Sequence, residues 1–147
     1  MIKMINVGEK VTTHREAVAK CEVHVSSATM KIIQSGKLPK GDVLTAAKLA
    51  GIMAAKKTSE LLPLCHPLNL TSVDVQIQIK KSKRVLEVTA TAIIDAKTGV
   101  EMEALTACSI AALTIYDMCK SVQKDIVISN LRLVKKTGGK SGKYKHK

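Results

Sequence analysis

The sequence predicts an α+β fold, an antiparallel sheet with helices packed on one face. Residues 73–79 alternate strictly, with Val73, Val75, Ile77 and Ile79 on one side and Asp74, Gln76 and Gln78 on the other, the pattern of a half-buried strand. A basic turn at residues 80–83 returns the chain as a hairpin partner over residues 85–94. Two long segments, residues 43–57 and 101–122, are apolar almost all round, as buried helices are.

The remaining elements follow in order. Residues 1–19 are mixed and polar and define no element. Residues 20–25 alternate weakly and end in Ser26-Ser27, an N-cap signal for a short helix that Gly36 stops after Ser35. Residues 37–41 read as a loop, and Asp42 caps the second helix. Pro63 and Pro67 break residues 58–67 into a turn of helix and a loop. Lys97-Thr98-Gly99 is a turn before the long helix, and residues 126–134 form a final strand. The Gly-rich stretch after Lys136 and the end of the chain, about residues 137–147, read as a flexible basic tail, with residues 143–147 disordered.

At 147 residues the chain suits one domain with its own core. That core has no Phe or Trp, and the only aromatic residues are Tyr116 and Tyr144, so Ala, Val, Ile, Leu and Met do the packing. The two apolar helices carry more apolar surface than one small sheet covers, so part of it is expected against another subunit. The alternative is that one helix is the central core element. The formal net charge is +12, and seven basic residues with no acidic ones follow from Arg132 to the end. Such a surplus attracts polyanions: nucleic acid, acidic membranes or phosphorylated small molecules. Cys21, Cys65, Cys108 and Cys119 show no C-x-x-C spacing, which points to reduced thiols, no metal site and a cytoplasmic protein. Neither a signal-peptide pattern nor an uninterrupted membrane-length apolar run is visible, so no membrane association is expected.

Three groups of residues carry chemical potential. On the long helix, Glu103, Thr106, Thr114, Asp117, Ser121 and Lys124 fall in one stripe, and Asp117 and Lys120 are spaced to touch. If buried, this pair tunes its own pKa values for acid–base work; if exposed, it is a surface ion pair of little energetic weight. In the segment Leu64-Cys65-His66-Pro67, the proline stiffens a loop that holds a histidine, which serves as acid, base or phosphate ligand, or as a structural side chain bonded to backbone. Lysines sit beside glycines in Lys40-Gly41-Asp42 and in Lys136-Thr-Gly-Gly-Lys140-Ser-Gly, where an ammonium and backbone N–H groups can reach one phosphate. Neither is a P-loop, and such a segment alone is more often a solvated turn.

The ordered segments Lys40-Gly-Asp-Val, Ala50-Gly-Ile, Glu60-Leu-x-Pro-Leu-Cys-His-Pro-Leu, Lys97-Thr-Gly-Val-Glu-Met-Glu-Ala-Leu-Thr-Ala, Ala112-Leu-Thr-Ile-Tyr-Asp-Met-Cys-Lys, Gln123-Lys-Asp and Gly138-Gly-Lys-Ser-Gly resemble the cyclic pyranopterin monophosphate synthase family, molybdenum cofactor biosynthesis protein C. The resemblance spans residues 10–142. It departs at Ile5-Asn6-Val7-Gly8, which lacks the family's Asp-Val-Ser run. It implies a ferredoxin-like fold and a homohexamer built as a trimer of dimers, with the active site at a subunit interface. The implied lyase reaction converts 3′,8-cyclo-7,8-dihydro-GTP to cyclic pyranopterin monophosphate with release of pyrophosphate. A radical S-adenosylmethionine GTP cyclase is the implied supplier of the substrate. By position, Leu64, Cys65, His66, Met102 and Glu103 match substrate-binding segments, Asp117 matches the catalytic aspartate, and Lys120, Lys40, Lys136 and Arg15 match residues lining the site.

This chemistry assigns Arg15 and Lys136 to phosphate and Lys120 to proton transfer, oriented by Asp117 with Lys40 beside it. Neighbouring cations are expected to lower the lysine's pKa. No cofactor is required, although Mg²⁺ could travel with the triphosphate. A nucleic-acid-binding module, suggested by the basic tail, is disfavoured by the lack of aromatic residues for base stacking. A regulatory domain that binds nucleotide without turnover would release no pyrophosphate.

Overall fold

A computed structural model describes residues 1–147. Strand β1 (Thr13–His24) opens the regular structure. Its inward positions Ala17, Ala19, Cys21 and Val23 are almost wholly buried. The sequence reading missed most of this strand. Alternation is faint there because alanine fills two of the inward positions and Val18 faces outward. Helix α1 (Ser27–Ser35) begins where expected, with the Ser26 hydroxyl accepting a hydrogen bond from the Thr29 N–H at 3.1 Å. Helix α2 (Val43–Lys56) is capped by Asp42, whose carboxylate accepts from the Thr45 N–H at 3.1 Å. A single turn, α3 (Thr58–Leu61), leads into the Pro-rich loop.

Strands β2 (Ser72–Lys80) and β3 (Val85–Ala96) form the expected hairpin through a 3₁₀ turn over Lys81–Lys83. Helix α4 (Glu101–Cys119) stops short of the predicted end near Val122, as the N–H groups of Val122 and Gln123 both turn back to the Cys119 carbonyl. Strand β4 (Val127–Thr137) follows. The chain end differs from the expected disordered tail. Tyr144–Lys145 forms a short strand, β5, paired with Lys135 and Lys136, and the His146 N–H donates to the Val134 carbonyl at 2.8 Å.

The five strands make one antiparallel sheet in the order β2-β3-β1-β4-β5. Without β5, the chain order strand–helices–strand–strand–helix–strand is the ferredoxin-like arrangement. The helices cover one face: α4 crosses β1, β3 and β4, while α2 packs on β2 and along α4. α4 is long and apolar enough to cross a membrane by length and composition, and half of its residues are covered inside the fold. Burial against a sheet accounts for that composition.

The core is a continuous cluster of 27 buried residues, many of them alanine. Small side chains bring backbones close together. Gly51 of α2 is the tightest point: a Cβ there would lie 2.9 Å from the Ala107 carbonyl oxygen and 3.1 Å from a Val75 methyl. Gly51→Val should therefore force α2 away from α4 and cost about 1–3 kcal/mol of stability from overpacking. Thermal unfolding checks this, and a melting temperature equal to wild type would show that the helices have room to separate.

The uncovered face of the sheet is polar. Its Glu87, with a side chain only 11% exposed, accepts from Lys80 at 2.7 Å and Lys20 at 3.2 Å. The Lys80 hydrogen bond does most to hold this carboxyl below its ordinary value of 4.5; burial opposes it, and Lys20 adds to the depression. A depressed carboxylate pKa stabilises the folded state fully above the unfolded value, and that contribution disappears as pH falls through the folded value. Glu87→Gln should lower the melting temperature at neutral pH, and the gap to wild type should close as pH falls below the folded-state pKa. A gap independent of pH would assign the effect to packing.

Candidate active site

Helix α4 carries candidate functional side chains at both ends. At its C-terminal end, Asp117 takes an ammonium on each oxygen: Lys120 Nζ lies 2.7 Å from Oδ1 and Lys40 Nζ 2.6 Å from Oδ2. Lys120 is the C-cap residue of α4, and Lys40 reaches in from the turn before α2. The three side chains are about half exposed, at 49–54%. Asp117 is thus better solvated than the apolar run before it suggested, because it projects from the helix face turned away from the sheet. The Lys120 hydrogen bond, joined by that of Lys40, holds the Asp117 carboxyl down to about 2. In return, Asp117 raises the Lys120 pKa. The expected lowering by neighbouring cations is therefore corrected for the isolated subunit: the carboxylate between the lysines outweighs their mutual repulsion.

At the N-terminal end of α4, Lys136 of β4 places its Nζ 2.6 Å from Glu101 Oε1. Burial pushes the Glu101 carboxyl up, but the Lys136 hydrogen bond and the charges of Lys136 and Arg15 outweigh it, so the pKa is lowered. Arg15, on the neighbouring strand β1, donates through Nε to the Ala96 carbonyl at 3.0 Å, which fixes the direction of its guanidinium. Beyond β4 the chain runs through Gly138 and Gly139 with φ of 90° and 78°. A side chain at Gly139 would collide with the Arg15 guanidinium, and one at Gly138 with the His14 carbonyl. The glycines let the loop lie directly on this arginine. Together these groups line an open basin of about 820 Å³ with Lys10, Arg15, Lys136 and Lys140 around Glu101. Four cations face one carboxylate, so the basin attracts anions.

A smaller cavity of about 270 Å³ adjoins it. Leu64, Cys65 and His66 form one side, and Met102 and Glu103 of α4 form another. Glu103 is only 4% exposed. Burial, with the Glu101 charge adding to it, raises the Glu103 carboxyl pKa. Burial and the Glu103 charge likewise raise the Cys65 thiol, which makes it a poor nucleophile. The cavity combines apolar walls with the carboxyls of Glu101 and Glu103, an imidazole and the Lys10 ammonium at its rim, a lining suited to a flat polar heterocycle. No group of three or more His, Cys, Asp or Glu converges as metal ligands.

Within one chain, the ten residues singled out from the sequence therefore fall into two groups. Leu64, Cys65, His66, Met102, Glu103, Arg15 and Lys136 gather around the N-terminal end of α4. Lys40, Asp117 and Lys120 gather at the other end, sixteen residues or about 24 Å along the helix axis. The sequence reading passed over Glu101, although the Val-Glu-Met-Glu segment contains it; its pairing with Lys136 depends on a register visible only in the sheet. Lys10 was also passed over, because nothing in its local pattern marks it. A family model, described as the MoaC family, matches residues 4–139. That match takes in nearly all of the chain and both residue groups, and the chain accordingly belongs to the MoaC family, enzymes of molybdenum cofactor biosynthesis.

Proposed function

We propose that the chain is the cyclic pyranopterin monophosphate synthase, a lyase that takes 3′,8-cyclo-7,8-dihydro-GTP to cyclic pyranopterin monophosphate and pyrophosphate. The observation that carries this reading is the pairing of a cationic basin with a heterocycle-sized cavity that share one rim. A purine nucleotide has the same two parts. The basin suits the triphosphate, with Arg15 as a bidentate donor and Lys136 as a point charge that can turn from Glu101 to phosphate. The cavity suits the guanine-derived ring, with Glu103 and His66 placed to hold its polar edge. A substrate hydroxyl bonds to the α phosphorus and loses its proton, closing the cyclic phosphate as the bond from that phosphorus to the bridging oxygen breaks, and fixed cations stabilise the charge on the departing pyrophosphate. Mg²⁺, if it accompanies the triphosphate, would share that charge.

The Lys40–Asp117–Lys120 cluster supplies protons in this reading. With its pKa raised by Asp117, Lys120 is a cation at neutral pH and acts first as a general acid. A single chain holds this cluster about 24 Å from the basin, so the complete site joins the basin of one subunit to the cluster of another. Leu49, Met53 and Leu113, exposed on α2 and α4, supply apolar surface for such an assembly. The proposed state is a hexamer of three dimers in the cytoplasm, fed by a radical S-adenosylmethionine GTP cyclase.

Incubation with the cyclised GTP intermediate should yield cyclic pyranopterin monophosphate by mass spectrometry and one pyrophosphate per product. Nucleotide binding with no pyrophosphate would overturn the lyase assignment in favour of a non-catalytic binding domain. Lys120→Ala should lower kcat by about 10²–10⁴-fold, the usual contribution of a general acid or base. Its half-exposed side chain leaves the melting temperature nearly unchanged. A variant with wild-type kcat would remove Lys120 from the chemistry.

A further inference from the structure

The two cavities share four lining residues: Lys10, Thr98, Gly99 and Glu101. Lys10 is the only cation among them. It comes from the segment before β1, outside the regular elements. Ile5 and Val7 of the same segment line the smaller cavity, so residues 5–10 wall one cavity and reach the other. The segment is held by few bonds. The Lys10 N–H closes a turn on the Val7 carbonyl at 3.1 Å, and the Asn6 side-chain oxygen accepts from the Gly8 N–H at 2.8 Å. Its one side-chain tie to the body of the fold is Lys97, whose Nζ donates to the Gly8 carbonyl at 3.0 Å. Lys97 directly precedes Thr98 and Gly99 on the shared rim, so this bond fastens the strap to the wall that separates the cavities.

The electrostatics distinguish Lys10 from Lys136. Lys136 is already paired with Glu101, whereas Lys10 takes part in none of the ion pairs. A free ammonium can meet an anion without first giving up a carboxylate partner. A ligand with its ring in the smaller cavity and its phosphates in the basin passes this rim, where Lys10 meets the start of the phosphate chain.

We propose that residues 5–10 form a substrate-binding strap, in which Lys10 contacts the phosphate chain where it crosses between the cavities and Lys97 is the positioning residue that holds the strap through the Gly8 carbonyl. Ile5 and Val7 close the apolar side of the ring cavity. The inference rests on the nucleotide reading of the site. It assigns to Lys10 a binding role and to Lys97 a role exerted through backbone placement alone. Freed from Lys97, an exposed segment with so few bonds opens easily, and Lys10 then spends less time at the rim.

Calorimetric titration of the full chain with GTP and with inorganic tripolyphosphate tests this. Lys10→Gln should weaken both by about tenfold, the worth of one charge-assisted hydrogen bond. Lys143→Gln, the same charge change at a residue that lines neither cavity, should stay within about twofold at physiological salt, where attraction without direct contact is screened. Lys97→Met should weaken GTP binding several-fold and speed amide hydrogen exchange in residues 5–10, and Lys97→Arg should restore both. The strap is refuted if Lys10→Gln matches Lys143→Gln, or if Lys97→Met changes neither affinity nor exchange. Arg15→Ala separates this from failure of the underlying reading. If Arg15→Ala weakens both probes while Lys10→Gln does not, only the strap falls. If Arg15→Ala also binds like wild type, or wild type binds neither probe, the phosphate assignment of the basin falls and the strap with it.

Discussion

Helix α4 packs on the sheet and on α2 with Ala104, Ala107, Cys108, Ala111 and Ala112 fully buried, and the placement of Glu101, Met102, Glu103, Asp117 and Lys120 depends on that contact. With no Phe or Trp in the chain, close approach replaces bulk: small side chains bring helix backbone near sheet backbone and near α2 at Gly51. Dispersion contacts at that spacing fix the helix in translation as well as in tilt. Glu101, Met102 and Glu103 are thereby set against the ends of β1 and β4, and Asp117 and Lys120 against the turn that carries Lys40. A straight helix of this length cannot bring its two ends together. The same packing that builds the core therefore leaves a single subunit with two separate groups of candidate residues.

The two ends also differ in their electrostatics. Near Glu101 several cations surround one partly buried carboxylate, which leaves an excess of positive charge. Near Asp117 the carboxylate is shared between two ammonium groups and lies well below its ordinary range, so it remains ionised throughout the physiological range. One end gathers cations that attract anions, and the other holds two lysines in a fixed direction around a carboxylate that raises the pKa of Lys120. The proposed lyase reaction draws on both arrangements, one for phosphate and one for proton transfer.

Much of this was legible in the sequence where local physics decides structure. Ser26 and Asp42 cap the helices they were assigned, because a cap needs only its own next few N–H groups. The β2–β3 hairpin was legible because its alternation carries large apolar residues. β1 was obscured because its neighbours in the sheet, β3 and β4, are distant in sequence and its inward residues are small. The short strand at Tyr144–Lys145 was hidden by a composition that reads as disorder, since its partners on β4 are not visible from the tail itself. Motif resemblance singled out ten candidate residues, and the structure gathers seven of them at one end of α4 and Lys40, Asp117 and Lys120 at the other. The direction of the Lys120 pKa shift required the position of one carboxylate between two ammonium groups, which no spacing rule supplies.

The claim that a complete site joins two subunits is open to a direct measurement. Arg15→Ala and Lys120→Ala subunits, each inactive alone, are unfolded together, refolded and assayed, with refolded wild type as the reference. Random pairing makes about half of the dimers mixed, and two-fold symmetry gives each mixed dimer one pocket with both residues intact. The account predicts recovery to about a quarter of wild-type activity. Verified mixed assemblies that remain inactive while refolded wild type is active would contradict it.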